Sequence, residues 1–341
     1  MKRVNFAILI AISLIQLSQA QSTVSTPVVG FSRVTVAGGG TASAPKYSMI
    51  SLNLLNAREY AGTMGNTFNG SFTAGAFNAG TFPRYYLSIP SSGIIVDIVS
   101  NTSSNLTVDP SRSSAVASAL GSGVPVEIRK HRTLQEVFGG DGTTTGGSSL
   151  SLGRATSASA ADSVLLLANG TYKTYFYSSS SVRPGWRDAG NLTLLAAEAP
   201  VYPNEGVFIA RKLSASVDIV VSGHVASGVS LIELDAGNNL ITTTIPADTT
   251  LTQMFGGDGT ATGGASLKVN RGTSASSADN VLIWDGSAFK TYFYSSSTVR
   301  PGWRDAANLT VTASNTPVSG NRALFLKRTG TATNLSFTNN F

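Results

Sequence analysis

The sequence contains no cysteine, so it can form neither disulfide bonds nor thiolate metal sites. Secreted eukaryotic chains of this length often carry disulfides, and a chain without them is more typical of a bacterial exported protein. Stability must therefore come from packing and hydrogen bonds. At 341 residues the chain is long enough for two or three domains with their own cores.

Charged residues are also scarce, at 12% of the chain. The formal net charge is +6, and it falls to +4 once Lys2 and Arg3 are removed. Nucleic-acid-binding proteins normally concentrate Lys and Arg in one run or on one face, and the sequence has no such run. We therefore predict that nucleic acid is not a partner.

Long apolar runs are confined to the first twenty residues. Lys2 and Arg3 precede the apolar stretch "FAILIAISLIQL" (6–17), and "SQA" (18–20) supplies the small residues that a signal peptidase recognises. The stretch is shorter than the roughly 20 apolar residues that span a membrane. We predict a signal peptide cleaved after Ala20, with an uncleaved N-terminal helix as the alternative. The mature chain is then exported to the periplasm, the outer surface or the medium, with no transmembrane segment.

Glycine is abundant, at 35 residues, and most apolar stretches are four to eight residues long and end at Gly, Asn, Asp or Ser. Short apolar runs separated by turn residues are typical of β-strands. We predict an all-β protein of sandwich-like β-domains with a duplicated C-terminal unit.

The duplication is visible as a repeat at a constant offset of 117 residues. Between Thr133 and Thr193, 41 of 61 positions are identical to the residue 117 positions later, without an insertion. The stretch "TYFYSSSSVRPGWRD" (174–188) returns with one change as "TYFYSSSTVRPGWRD" (291–305). A gapless offset predicts one supersecondary unit built twice. In each copy we expect a helical turn capped by Thr133 or Thr250, ended by two glycines and followed by a hairpin.

These patterns divide the chain into five segments. They are a signal peptide over 1–20, an N-terminal β-rich domain over 21–132, repeat unit A over 133–212, a connecting β segment over 213–249 and repeat unit B over 250–341.

The doubled stretch carries the residues that could bind a ligand. Tyrosine and tryptophan rings stack on sugar faces and arginine hydrogen-bonds hydroxyls or carboxylates, so one interpretation is a flat platform for a polysaccharide. The candidate residues are Tyr175, Tyr177, Trp186 and Arg187 in the first copy and Tyr292, Tyr294, Trp303 and Arg304 in the second. The other interpretation is structural, and we favour it. In that case Phe176 and Phe293 are buried, Trp186 fills a core, and each arginine binds a carboxylate or loop carbonyls of its own unit.

The repeat argues against catalysis within a unit. The two histidines, His131 and His224, have no counterpart in the other copy, and no glutamate is shared between copies. A serine hydrolase needs a histidine beside its serine and acid, and a glycosidase needs two carboxylates. Neither set is assembled within one unit, so we predict no catalytic residue. A single site between domains that uses His131 or Glu205 stays open.

The glycine-rich loops "FGGDGTTTGG" (138–147) and "FGGDGTATGG" (255–264) lack the Lys-Ser/Thr ending of a phosphate-binding loop. Calcium binding would depend on Asp141 or Asp258, joined by Asp162 or Asp279, which are fewer carboxylates than calcium usually takes. We predict no metal and no cofactor, and leave open whether calcium binds these loops.

Several stretches in order resemble an uncharacterised family of secreted, paralogous proteins from verrucomicrobia-type bacteria. They are "GFSRVTV" (30–36), "YYLSIPSSGIIVDIVSNTSSNLTVD" (85–109), "IRKHRTLQEVFGG" (128–140), "TYKTYFY" (171–177) and "NEGVFIARK" (204–212). The resemblance covers roughly 28–212, and the second repeat resembles the later half again. It implies export, a β-rich structure and a place in the cell envelope, and it assigns no catalytic residue.

From these observations we predict a non-enzymatic structural or adhesion protein at the cell surface or outside the cell. Its partners would be cell-surface polysaccharide or other envelope proteins. One alternative is a polysaccharide-binding or carbohydrate-active accessory module. Another is an outer-membrane β-barrel, suggested by the alternating C-terminal stretch "TNLSFTNNF" (333–341). The nearly continuous apolar runs "IIVDIV" (94–99) and "VLLLAN" (164–169) argue against the barrel, because they suit strands buried on both faces.

Overall fold

The structure, a computed structural model, describes residues 27–168 and 171–339. The predicted signal peptide and the Asn169–Gly170 turn lie outside the described residues. Within the described part the chain is mostly antiparallel β-sheet with three short α-helices, so the predicted all-β class is confirmed. No helix in this part is long and apolar enough to cross a membrane.

One core belongs to a five-stranded sheet near the N-terminus, in the order β4-β8-β5-β6-β7. Its elements are β4 (Arg58–Met64), β5 (Tyr85–Ile89), β6 (Ile94–Asn101), β7 (Leu106–Val108), helix α1 (Ser113–Leu120) and β8 (Val124–Lys130). The sequence analysis did not predict α1. Val116 and Leu120 lie four residues apart on one face of α1, and both are buried in this core. We call this body the inserted domain.

A second core lies between a six-stranded sheet, β13-β12-β11-β10-β15-β2, and a three-stranded sheet, β1-β16-β3. We call this body the first unit. Its strands up to the first repeat are β1 (Val29–Val36), β2 (Lys46–Ser51) and β3 (Leu54–Leu55). The rest are β9 (Arg132–Thr133), helix α2 (Leu134–Phe138), β10 (Ser163–Ala168), β11 (Thr171–Ser178), β12 (Gly185–Asp188), β13 (Asn191–Leu195), β14 (Pro200–Val201), β15 (Gly206–Arg211) and β16 (Val217–Val225).

A third core is formed by the sheet β18-β24-β20-β21-β22 and the strand pair β17-β25. We call this body the second unit. Its elements are β17 (Gly228–Leu234), β18 (Gly237–Ile241), β19 (Thr249–Thr250), helix α3 (Leu251–Phe255), a 3₁₀ turn (Ala275–Ser277), β20 (Asn280–Trp284), β21 (Phe289–Ser295), β22 (Gly302–Asp305), β23 (Pro317–Val318), β24 (Leu324–Arg328) and β25 (Thr333–Asn339).

Strand pairing crosses the predicted segment boundaries. In the first unit β2 pairs with β15 and β1 with β16, while in the second unit β18 pairs with β24 and β17 with β25. The 213–249 segment therefore supplies strands to both units, and β1 and β2 belong to the first unit. The inserted domain occupies the connection between the early strands and β9. That the two units derive from one duplicated module stays a prediction.

Helices α2 and α3 begin where the sequence predicts. The Thr133 hydroxyl accepts a hydrogen bond from the Glu136 amide at 3.2 Å, and the Glu136 carboxylate accepts one from the Thr133 amide at 3.2 Å. In the second unit Thr250 and Gln253 make the same reciprocal pair. Because either a carboxylate or an amide oxygen can accept this bond, the change from Glu136 to Gln253 preserves the cap.

Each unit contains a buried aspartate whose carboxylate accepts several hydrogen bonds from the same unit. The Asp162 carboxylate accepts hydrogen bonds from the Gly153 amide (2.6 Å), the Lys212 amide (2.6 Å) and Nη1 of Arg211 (2.5 Å). In the second unit the Asp279 carboxylate accepts the corresponding bonds, and one donor is Nη1 of Arg328 at 2.9 Å. These aspartates therefore have a structural function, since their oxygens are occupied by the chain itself.

Removing Arg211 should destabilise the protein strongly. The side chains of Asp162 and Arg211 are 0% and 5% exposed, so Arg211→Ala would leave a buried carboxylate without its counter-charge. We expect the free energy of unfolding to fall by about 3–5 kcal/mol in urea denaturation. The matched control is Arg84→Ala, which breaks an ion pair with Glu198 whose side chains are 46% and 54% exposed, and which should cost less than about 1 kcal/mol. Equal losses would contradict the structural function of the pair.

Candidate functional site

The aromatic residues of the doubled stretch lie inside the two unit cores. The four tyrosines and two tryptophans predicted as a platform are 0–8% exposed: Tyr175, Tyr177, Trp186, Tyr292, Tyr294 and Trp303. Stacking on a sugar needs an open ring face, and none of these rings has one. Burial therefore favours the structural interpretation of these residues over the ligand platform.

Phe176 and Phe293 are buried as predicted, each 1% exposed. Tyr175 and Tyr177 contribute to the main core of the first unit, and Phe176, their neighbour on the strand, is buried on the other side of the sheet. The sheet is covered on both faces, and alternation alone could not show which face was the larger core.

The polar ends of the buried rings hold the glycine-rich loops. Nε1 of Trp186 donates to the Gly139 carbonyl at 2.8 Å. The Tyr177 hydroxyl accepts from the Gly142 amide at 2.9 Å and donates to the Thr143 carbonyl at 3.0 Å. The second unit repeats these bonds: Trp303 to Gly256 is 2.9 Å, Gly259 to Tyr294 is 2.9 Å and Tyr294 to Thr260 is 3.1 Å. The aromatic stretch and the glycine stretch thus recur together because each fixes the other.

The arginines of the doubled stretch bind loop carbonyls of their own unit, as predicted. Nη2 of Arg187 donates to the Pro184 carbonyl at 2.8 Å, and Nη2 of Arg304 donates to the Pro301 carbonyl at 2.7 Å. Each guanidinium therefore stabilises the turn that leads into its tryptophan.

The loop glycines are required because the loop backbone lies close against the Tyr177 ring. Gly140 has φ of +106°, and a Cβ at that position would lie 2.3 Å from the Tyr177 ring. The adjacent Asp141 carboxylate accepts a hydrogen bond from the Thr143 amide at 3.0 Å, so it contributes to the loop's own turn. Among the described residues, no group of three or more His, Cys, Asp or Glu side chains is placed to hold a metal ion.

A second cluster of polar residues joins the inserted domain to the first unit. The Asp97 carboxylate on β6 accepts a hydrogen bond from the Tyr202 hydroxyl at 2.7 Å, and its other oxygen lies 2.9 Å from Nε2 of His131. The fully buried imidazole packs between the rings of Tyr86 and Tyr202, with both centroids 4.8 Å away. Nδ1 of His131 has no hydrogen-bond partner among the described residues. Nε2 of His131 is therefore assigned as the donor of the hydrogen bond to Asp97.

Next to this cluster is a cavity of about 240 Å³ where the inserted domain, the first unit and the second unit meet. Arg112 of the inserted domain forms a two-pronged ion pair with Glu233 on β17 of the second unit, with 2.5 Å between Nη1 and one carboxylate oxygen. Both residues line the cavity, together with Tyr202 and Glu205 of the first unit. The cavity is therefore built by all three bodies.

Glu205 is the unusual acid in this cavity. Burial raises its pKa from 4.5 to about 7, and the nearby charge of Asp97 acts in the same direction. No described residue hydrogen-bonds its carboxyl group. The pKa of Tyr202 is also raised by burial and by Asp97, so its hydroxyl stays protonated and continues to donate. A buried carboxyl that titrates near neutrality in a cleft is a candidate for binding or proton exchange.

The second unit has no equivalent of this cluster. The residues 117 positions after His131, Tyr202 and Glu205 are Asp248, Ser319 and Arg322. Sequence analysis named His131 and Glu205 as possible members of a site between domains, but it missed Asp97 and Tyr202. Asp97 lies 34 residues before His131 and 105 before Tyr202, and no spacing rule connects residues so far apart.

Truncation of Trp186 distinguishes the two interpretations of the doubled stretch. Trp186→Ala should reduce the free energy of unfolding by about 3–5 kcal/mol and lower the melting temperature, because it empties a core and frees the Gly139 carbonyl. Val182→Ala is the control in the same stretch, since Val182 is 82% exposed and should leave stability unchanged. A stable Trp186→Ala protein that no longer binds a polysaccharide would support the platform instead.

The raised pKa of Glu205 predicts a pH dependence of stability. Between pH 4.5 and about 7 the folded protein retains a proton that the unfolded chain has released, so the free energy of unfolding should fall as pH rises through this window. The fall should be up to roughly 3 kcal/mol. The glutamine of Glu205→Gln cannot ionise, so this decrease in the free energy of unfolding should be absent. The other charged groups of the cavity are unchanged. These are Asp97, Asp109, Arg112 and Glu233. Parallel pH profiles for the two proteins would refute the assignment.

Comparisons of the chain with protein-family models, with curated proteins and with solved structures find no match. We therefore infer its function from the contacts of the chain itself.

Proposed function

We propose that the chain is a non-enzymatic exported protein with a structural or adhesion function at the cell surface or outside the cell. One observation carries this proposal. The two units share the residues that build the fold and the residues of an exposed loop tip, but no histidine or glutamate of one unit recurs in the other. The shared residues therefore favour a function based on a stable fold and an exposed surface over a catalytic function.

The framework is stabilised entirely within the chain. In each unit a tryptophan, a tyrosine and an aspartate bind backbone groups of the same loops, as with Trp186, Tyr177 and Asp162 in the first unit. A chain without cysteine that holds its loops in this way suits an exported structural protein. The units are also joined to each other, because Nδ2 of the buried Asn53 donates to the carbonyls of Thr243 (3.1 Å) and Gly320 (3.0 Å).

The shared surface is the tip of the loop between β11 and β12 and of its counterpart between β21 and β22. Val182 and Val299 at these tips are 82% and 83% exposed, and each is followed by an exposed arginine, Arg183 or Arg300. Because these side chains are exposed, packing does not require the same residues in both loops. Two identical tips would allow one chain to make two weak contacts with an extended polymer or a surface, and linked contacts strengthen each other through effective concentration.

The proposal predicts where the protein is found and how it binds. Cell fractionation should recover it from the envelope or the medium with Gln21 as its first residue. The mature protein, free in solution, should be retained on envelope preparations or insoluble cell-wall polysaccharide. One variant combines Val182→Ser with Arg183→Ser, and another combines Val299→Ser with Arg300→Ser. In either variant retention should fall roughly tenfold or more, because a single remaining tip binds without avidity.

The controls separate adhesion from other functions. All tip variants should keep the melting temperature of the parent protein, since these side chains are exposed. Retention unaffected by both tip changes would show that adhesion uses another surface. Release of soluble sugars from the polysaccharide by the parent protein would contradict a non-enzymatic function, and a cytoplasmic location would contradict export.

A further inference from the structure

We propose that the cavity between the inserted domain and the two units binds the primary ammonium group of a small organic cation, with Glu205 as its counter-charge. This inference goes beyond the structural or adhesion function and does not depend on it.

The size of the cavity limits what it can hold. Its volume of about 240 Å³ lies below the roughly 300 Å³ at which pockets for drug-sized ligands begin. It therefore suits one terminal group rather than a stretch of polymer. Its walls include the partly exposed residues Ile95 and Leu231, which give an apolar surface for the carbon skeleton next to that group.

The distribution of charge selects a cation. Four acids line the cavity, namely Asp97, Asp109, Glu205 and Glu233, against a single base, Arg112. The Arg112 guanidinium is already occupied by both oxygens of Glu233, so it is not free to bind an anion.

The acids are not equivalent, and only one lacks a partner. Asp97 accepts hydrogen bonds from Tyr202 and His131. Asp109 accepts them from the amide and hydroxyl of Ser111, at 2.8 and 2.7 Å. Among the described residues no donor reaches the carboxyl of Glu205, which is partly buried and lines the cavity.

The chemistry of the ligand follows from what the unpartnered Glu205 carboxylate requires. A buried carboxylate needs both a counter-charge and hydrogen-bond donors, and an ammonium group supplies a positive charge with three donors and no acceptor. A divalent metal fits less well, because calcium takes six to eight oxygen ligands and the described residues contain no cluster of three acidic or histidine side chains placed for a metal. The Asp97 and Tyr202 side chains beside Glu205 are held in place by their mutual hydrogen bond and do not compete for the ligand.

Binding should be linked to proton release. Since Glu205 titrates near neutrality in the free protein, an ammonium ligand that requires the carboxylate should displace its proton, and affinity should weaken as pH falls below about 7. The groups that share the cavity with Glu205 are Asp97, Asp109, Arg112, Tyr202 and Glu233, with His131 behind Asp97.

Calorimetric titration of the mature protein tests the proposal with two amines, n-butylamine and glucosamine, and with N-acetylglucosamine as the uncharged control. We expect at least one amine to bind with one site per chain, because the second unit carries Arg322 in place of Glu205. Which amine binds distinguishes an alkyl from a sugar skeleton. N-acetylglucosamine should not bind. Titrations at pH 7 in buffers of different ionisation enthalpy should show proton release.

Glu205→Gln should weaken amine binding roughly tenfold or more, since a charge-assisted hydrogen bond is lost. Glu198→Gln is the matched control, because Glu198 is an exposed glutamate of the same unit paired with Arg84, and it should bind like the parent. Proton release by the unaltered protein keeps the proposal testable if Glu205→Gln fails to fold. Binding by neither amine, equal binding of N-acetylglucosamine, two sites per chain, or binding without proton release would each overturn the proposal.

Discussion

The hydrogen bond from a buried tryptophan to a glycine carbonyl is the constraint on which each unit depends. Trp186 fills the core with its ring and ties the loop after helix α2 to strand β12 with its Nε1 donor. Side chains are excluded from this loop, because a Cβ on Gly140 would lie 2.3 Å from the Tyr177 ring and one on Gly139 would lie 1.8 Å from the Ser149 carbonyl oxygen. The turn held by Arg187 then sets the start of β12. A change in any one of these groups would therefore disturb the others, which is why their residue types recur as a set.

The inserted domain changes what the first unit can do. It enters between β3 and β9, and its strand β6 brings Asp97 to Tyr202 and His131, which flank β14 and β9. The resulting bonds fix the inserted domain to the first unit, and the Arg112–Glu233 ion pair fixes it to the second. The second unit lacks an insertion at the equivalent place, so it cannot build the same cavity, although Trp303, Tyr294 and Asp279 make the same bonds as their counterparts.

Much of the fold could be predicted because side chains specify it locally. The caps at Thr133 and Thr250, the hairpins and the strands of the inserted domain all follow from short patterns. The grouping of β1 and β2 with the first unit, and of β17 and β18 with the second, could not be predicted. Strand pairing uses backbone groups that every residue carries, so β1 and β2 can pair in the same way as β17 and β18 although their sequences differ. Asp97 and Tyr202 could not be predicted either, because their contacts depend on where the inserted domain packs.

The differences between the units show which side chains matter for charge and which for shape. Glu136 and Gln253 are interchangeable because a helix cap needs only an acceptor oxygen. Glu205 and Arg322 are not interchangeable in this sense, because the change reverses the charge. In the second unit Arg322 lines a separate hollow of about 250 Å³ together with Asp248, the counterpart of His131. The framework thus leaves space near the same strands in both units, and the residues that differ decide the charge of that space. A cavity with an unpartnered acid beside the first unit and a mixed-charge hollow in the second are what we expect when the common residues build the fold and the charge of each space depends on the residues that differ.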